Sequence, residues 1–280
     1  MKTPLTAIKN PEQENFLNNL KINHFLSDES ITDKFVKNFY HWIEDTKYNN
    51  IDGLDEYDVI KVTNGSIQIF DFFYLKYFNK RFRFFSGEFM YHQAVLKNGL
   101  KFSFCEDDEI RKNDVFITSV PFTRTGYIHK NFFEVLEKCE TMKVPVLIDF
   151  CHLPCSKNIN LSLKKYECID TISFSMSKFF HNAEFLRVGI RFQKNKNFID
   201  DGIDIFNSDG IKMNHRLSIG IANEIINKYS INYLWDNFDR AYYKVCEKNS
   251  LNATNNIIIA INENNERVCV SDLIYDEYLK

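Results

Sequence analysis

The sequence has no excess of either charge: 35 basic residues stand against 38 acidic ones in 280, a net charge of −3. A nucleic-acid-binding chain needs a basic patch or stripe to meet phosphates, so that class is not expected. There is also no apolar run approaching the roughly 18 residues of a membrane-spanning helix. The first residues, MKTPLTAIKNPEQENF, contain no apolar signal core, and a cytoplasmic location is expected. The 7 cysteines are odd in number and scattered without a framework, which reads as reduced thiols rather than disulfides. No internal repeat or low-complexity domain is apparent. Phenylalanine is abundant at 27, but it accompanies many Asn, Lys and Ile and carries no functional weight. The length allows one sizeable domain plus a smaller one.

The most informative stretch runs from Val144 to Phe192. It holds three short runs rich in Val, Ile and Phe, VPVLIDF, TISFSMSK and LRVGIRF, each bounded by polar or turn-forming residues. Such runs read as consecutive buried strands. Asp149 closes the first, Lys178 closes the second, and Arg187 lies in the start of the third. An acid and two bases are thus brought to strand ends, where open α/β sheets bind ligands. Burial there favours the neutral, nucleophilic form of an amine, which suits Lys178 to Schiff-base chemistry with a carbonyl compound. A carboxylate for a ring nitrogen, and an Arg with Ser hydroxyls for a phosphate, would complete a site for pyridoxal phosphate.

SFSMSK followed by LRVGI, downstream of VLIDFCH, resembles the active-site core of fold-type-I pyridoxal-phosphate enzymes, the aspartate aminotransferase superfamily. The resemblance implies a ring-nitrogen partner in Asp149, an O3′ partner in His152, phosphate-binding hydroxyls in Ser175 and Ser177, the Schiff-base lysine in Lys178, and a phosphate-binding guanidinium in Arg187. Arg187 follows Lys178 by nine residues (187 − 178), where the family commonly has eight, so an extra loop residue is expected and Arg191 is the reserve. Many aminotransferases have Asn-Pro-Thr-Gly where this chain has Thr123-Arg124-Thr125-Gly126; Thr123 or His152 would then supply the O3′ contact.

In chain order, residues 1–50 read as a helical arm, with apolar spacing in FVKNFYHWIEDTKY. YDVIKVT is a strand, and Asn64, Gly65 and Ser66 turn it into the helix SIQIFDFFYLKYF. A strand, a glycine turn and a helix N-terminus make an anion site. The resemblance makes Gly65 and Ser66 the phosphate cup; the plain alternative is a turn capped by Ser66. RFRFFSG, KFSFC and VFITSVP read as further strands, with a short helix over EFMYHQAVLKNG and a longer one over YIHKNFFEVLEKCETMK. Phe89 is the candidate ring that stacks on the cofactor, with Tyr91 in reserve, against the alternative that both are core. Cys151, His152 and Cys155 invite a zinc reading, but no fourth ligand has recognisable spacing, so no metal is expected.

Past Phe192, QKNKNFIDDGIDIFNSDG reads as loop. A long helix broken near Ser230 and two short strands around a polar turn in NNIIIAINENNERVCVSD follow. Arg267 in ERVCV is the candidate for a substrate carboxylate, or else a solvated turn charge. The expected fold class is α/β: a large domain with a mostly parallel sheet flanked by helices over 51–195, and a small C-terminal α/β domain with its linking helix over 196–280. The resemblance implies an aminotransferase that passes an amino group from an amino acid or amine to a keto acid, as a homodimer with no nucleic-acid or membrane partner. Asp149 followed by His152 is also similar to oxoamine synthases, and lyases and decarboxylases share the scaffold. A cofactor-free degenerate scaffold is the third alternative.

Overall fold

The computed structural model describes residues 4–92, 99–194, 202–203 and 215–280. Its centre is a seven-stranded sheet built from β2 (Val59–Thr63), β3 (Arg81–Phe84), β4 (Phe102–Phe104), β5 (Asp114–Ser119), β6 (Val146–Asp149), β8 (Ile169–Ser175) and β9 (Gly189–Gln193). The spatial order is β2-β9-β8-β6-β5-β3-β4. All neighbours are parallel except β9, which runs against both β2 and β8. The sheet is therefore mostly parallel, and the chain is of the α/β class.

Both faces of the sheet are covered, which fits the full burial of β5, β6, β8 and β9. Val115 and Ile117 of β5, with Leu147 of β6, pack on Ile69, Phe70, Phe73 and Tyr74 of the helix Ser66–Lys76. The alternate residues Phe116, Val146 and Ile148 belong to the larger core on the other face. That core draws in the helices Ile31–Glu44, Phe132–Met142, Arg216–Lys228 and Tyr233–Lys248. The last two are separated at Tyr229–Asn232, where the sequence pattern places a break near Ser230.

A second, antiparallel sheet comprises β10 (Asn252–Ala253), β11 (Ile259–Ile261) and β12 (Arg267–Cys269). It shares the large core through Ile257, Ile258 and Ile259. In the N-terminal fifty residues, helices Pro11–Asn18 and Ile31–Glu44 are joined by a short 3₁₀ turn. Trp42 donates from Nε1 to the Tyr229 carbonyl at 2.8 Å, tying this arm to the C-terminal helices. β1 (Asn50–Asp52) pairs in parallel with β7 (Asn160–Ser162) outside the main sheet. The loop expected between Phe192 and the C-terminal helices, and the helix expected to end at Gly99, fall largely outside the described residues.

Candidate active site

Parallel neighbours bring their C-terminal ends to one edge of the sheet, and the reversed β9 brings its N-terminal end to the same edge. Asp149 ends β6, Ser175 ends β8, and Lys178 ends the 3₁₀ turn Met176–Lys178 that follows. Arg187 precedes β9 by two residues instead of lying within its start. Its backbone is left-handed (φ 55°), as is that of Asn182 (φ 66°), a conformation that costs a non-glycine residue roughly 1–2 kcal/mol. The long connection from Lys178 thus doubles back on itself through two left-handed residues. Arg191, the reserve, lies inside β9 opposite Lys61 and Ser173 and is buried.

Asp149, Lys178, Ser175, Ser177, Arg187 and Ser66 line one cavity of about 140 Å³. Asp149 is 4% exposed. The backbone N–H of Cys151 donates to its Oδ1 at 3.3 Å, and the hydroxyl of Ser173, the residue paired with it across β6 and β8, partly offsets the cost of burying the charge of Asp149. Burial pushes its carboxyl up to about 7, and the nearby negative charge of Glu88 adds to the rise. Ser175 Oγ accepts from the Ser177 backbone N–H at 3.2 Å, which caps the turn that carries Lys178. Cys151 Sγ lies 3.3 Å from Ser177 Oγ, and Cys155 Sγ donates to the Lys178 carbonyl at 3.1 Å. Among the described residues, no group of three His, Cys, Asp or Glu side chains is placed to hold a metal ion.

At the far end of this cavity, Gly65 rather than Ser66 is the cap of the helix Ser66–Lys76, and no side chain closes the helix end. Gly65 has φ 76°, and a Cβ there would lie 2.9 Å from Arg187 Nη2. A glycine is needed both for the backbone angle and for the guanidinium. Ser66 and Ile67, the first residues of the helix, line the cavity beside Arg187, so N–H groups without intrahelical partners and a cation meet at one place. Arg187 Nη2 donates to the Asn64 carbonyl at 3.3 Å. Glu184, which no sequence signal singles out, also lines this cavity.

Thr123 and His152 stand where this cavity meets a larger one of about 400 Å³. Thr123 Oγ1 is buried with no hydrogen-bond partner, an arrangement that leaves a polar atom ready for a ligand. Asn256 Nδ2 donates to His152 Nδ1 at 3.3 Å, while its Oδ1 accepts from Ile258. Burial lowers His152 to about 3, so its ring is neutral. Phe89 also lines both cavities and is partly exposed, whereas Tyr91 lines neither and donates to Asp71 at 2.7 Å.

The loop that carries Phe89 is fixed by Glu88, a residue the sequence pattern gives no reason to choose. Glu88 is 4% exposed. Its carboxylate accepts from Ser119 N and Oγ, both at 2.7 Å, and from Thr118 Oγ1 and Phe89 N, both at 3.1 Å. Ser119 is the residue paired with Asp149 across β5 and β6.

The larger cavity adds Arg267, Arg124 and the N-terminal Pro4 and Leu5. Arg267 Nη1 donates to the Thr123 carbonyl at 2.9 Å. Lys178 Nζ donates to the Leu5 carbonyl at 2.7 Å. The next residue is held in turn, since Ser271 Oγ donates to the Thr6 carbonyl at 2.6 Å.

These residues match the needs of pyridoxal phosphate. A buried acid, a hydroxyl without a hydrogen-bond partner among the described residues, an amine, a guanidinium and the first residues of a helix share one cavity, and Gly65 lies against that guanidinium.

No family model matches the sequence, and a search of curated proteins finds no relative. Solved structures do match. The histidinol-phosphate aminotransferase from Clostridium acetobutylicum superimposes with a TM-score of 0.62 at 17% identity, over 92% of this chain and 80% of that one. Valine-pyruvate aminotransferase from Salmonella typhimurium LT2 gives 0.63 at 15%, over 96% and 76%. The PLP-bound C-S lyase from Staphylococcus hominis gives 0.56 at 14%, over 81% and 65%. The chain has the fold that these enzymes share.

Proposed function

We propose that this aminotransferase-fold chain is a pyridoxal-phosphate-dependent enzyme, and that it moves an amino group from an amino acid or related amine to a keto acid. The observation that carries the proposal is the cavity at the C-terminal edge of the sheet, lined by Asp149, Lys178, Ser66, Thr123 and Arg187 together. When bound, pyridoxal phosphate supplies an aldehyde for amine capture and a sink for electrons from the substrate. Lys178 holds that aldehyde through Nζ. Arg187, Ser175 and Ser177, with the N–H groups at the start of the helix Ser66–Lys76, hold the phosphate. Phe89 would pack against the ring, and Thr123 and His152 would offer partners to its hydroxyl. Asp149 would pair with the ring nitrogen, its carboxylate favouring the protonated ring once that cation offsets the cost of burying the charge. The Lys178 amine would take and return a proton at the substrate α-carbon. Arg267 orients the donor by its carboxylate. A homodimer, to be checked by sedimentation, belongs to the same proposal.

Adding pyridoxal 5′-phosphate to the purified protein should produce a visible absorption band. Borohydride should then fix the group on Lys178, as read by peptide mapping, and Lys178→Ala should abolish both signals. A label on another lysine, or no uptake, overturns the assignment. An amino donor alone should bleach the band within one turnover, and a keto acid should restore it. The lyase among the structural neighbours supports a second reading with the same cofactor; release of ammonia from the donor instead of keto-acid recovery would select it.

A further inference from the structure

We propose that Glu184 reads a proton on the cofactor's phosphate: the cavity takes the phosphate as a monoanion, whose remaining P–O–H donates to the Glu184 carboxylate. This rests on the cofactor proposed above and adds a residue to its anchorage. Glu184 sits on the 3₁₀ turn Ala183–Phe185, within the connection from Lys178 to Arg187 that is longer than the resemblance leads one to expect. It is partly buried, and with Arg187, three residues on, it lines the cavity of about 140 Å³. An acid is out of place on the wall of an anion cradle, because two negative charges at close range repel. Neutralising Arg187 does not account for it: among the described residues, Arg187 donates to the Asn64 carbonyl and pairs with no carboxylate. Nor is Glu184 tied down, since its Oε2 is buried with no hydrogen-bond partner among the described residues. The cavity wall thus carries an acceptor that lacks a donor.

Asp149, Thr123, His152 and Lys178 are already matched to the ring nitrogen, the ring hydroxyl and the aldehyde. The phosphate is what remains, and it belongs beside Arg187. A phosphate monoester gives up its second proton at about pH 6, so monoanion and dianion are both at hand near neutrality. The monoanion has an O–H to give, and a carboxylate accepts it in a short, charge-assisted O–H···O bond. The dianion has none and meets repulsion instead. Asp149, Cys151, His152 and Lys178 line the same cavity. His181, on the same connection, stands 3.4 Å from Glu14, and Tyr91, which donates to Asp71, feels the charge of Arg187. These groups act on the charge of any anion in the cavity. Glu184 alone asks for a proton on it.

The test compares two anions of nearly the same size and shape on the full chain freed of cofactor. At pH 6 inorganic phosphate carries protons that it can donate, and sulfate carries none. Titrated by calorimetry, phosphate should bind about tenfold tighter or more, the worth of one charge-assisted bond, although sulfate has the larger charge. Glu184→Gln offers an amide N–H to either anion, so sulfate should gain and the preference should vanish. Arg187→Gln should weaken both anions. Melting temperatures equal to the parent's show that the variants are folded, and the two parent titrations need no variant. In the cofactor-loaded protein at pH 7, the phosphorus resonance should be that of the monoanion in the parent and that of the dianion in Glu184→Gln. Equal affinities for phosphate and sulfate, binding of neither, a preference that survives Glu184→Gln, or a dianion resonance in the parent would overturn the inference. Failure to take up pyridoxal phosphate counts against the proposed activity instead, and is seen in the absorption spectrum whatever the two anions do.

Discussion

The two edges of the main sheet use charge in opposite ways. At the N-terminal edge, Arg81 grips both oxygens of Asp114 at 2.8 Å and reaches Asp108 at 2.6 Å, and the fully buried Arg83 lies 3.0 Å from Asp114. At the C-terminal edge, among the described residues, Asp149 is met by the Cys151 N–H and the Ser173 hydroxyl, Lys178 and Arg187 donate to backbone carbonyls, and Thr123 Oγ1 has no hydrogen-bond partner. Charges that hold a fold are neutralised within it, because an unpaired buried charge is expensive. Charges kept for a ligand are left short of partners. Glu88 is the exception that sharpens the contrast: it stands at the C-terminal edge with four donors, and so belongs with the structural charges despite its position.

The contrast would break if the two edges responded alike to mutation. Asp114→Ala takes from Arg81 and the fully buried Arg83 one of the two carboxylates they share, leaving Asp108, and should cost roughly 3–5 kcal/mol of unfolding free energy in urea titrations. Asp149→Asn removes an acid that no cation among the described residues neutralises within the fold. Near pH 4, where Asp149 is protonated in the folded chain, unfolding should change by less than about 1 kcal/mol, while turnover at neutral pH falls on the order of 100-fold or more. Marked unfolding with turnover preserved would make Asp149 a structural residue. Glu88→Ala leaves four donors unpartnered and should cost about 2–3 kcal/mol in the same titration, with Glu88→Gln intermediate. A Glu88→Ala protein as stable as the parent would return Glu88 to the ligand-facing group.

The smallest expected effect is one of sign. Arg81 and Arg83 hold Asp114 below the usual carboxylate range even though burial works against them. Its contribution to stability is present above the unfolded-state value and is lost as pH falls through the folded one. Asp149 is raised to about 7. Its contribution is complete below the unfolded-state value of about 4 and is lost as pH rises through 7. Relative to the parent, Asp149→Asn should therefore gain stability between pH 5 and 8, whereas Asp114→Asn should lose least at the acid end. Parallel trends in the two series would remove the distinction.

Much of this was readable from the chain, for a local reason. Asp149, Ser175, Lys178 and Arg187 fall within one short stretch, at the ends of runs whose apolar character marks buried strands, and that placement carried over to the sheet edge. The reversal of β9 was not readable, since a strand buried on both faces has the same composition in either direction. It is nevertheless what brings Arg187 to the edge, through two left-handed residues that no composition rule requires. The cap at Gly65 was anticipated as a glycine turn, but its role in making room for Arg187 depends on two segments far apart in sequence. Glu88 gave only the faint signal of a lone acid just past a strand. The outer cavity gave less, being assembled from the N-terminal segment, the loop at Gly87, the turn at Thr123 and β12. Arg124 was visible only as a departure from a familiar tetrapeptide.

The hydrogen bond from Lys178 to the Leu5 carbonyl turns the N-terminal segment into a competitor. Any group that claims the lysine nitrogen must first release the segment from it. By reciprocity, whatever factor of affinity the segment withholds from that group, the group withholds from the segment. Occupancy of the site would then be legible from outside it, as faster amide exchange and easier proteolysis at residues 4–9.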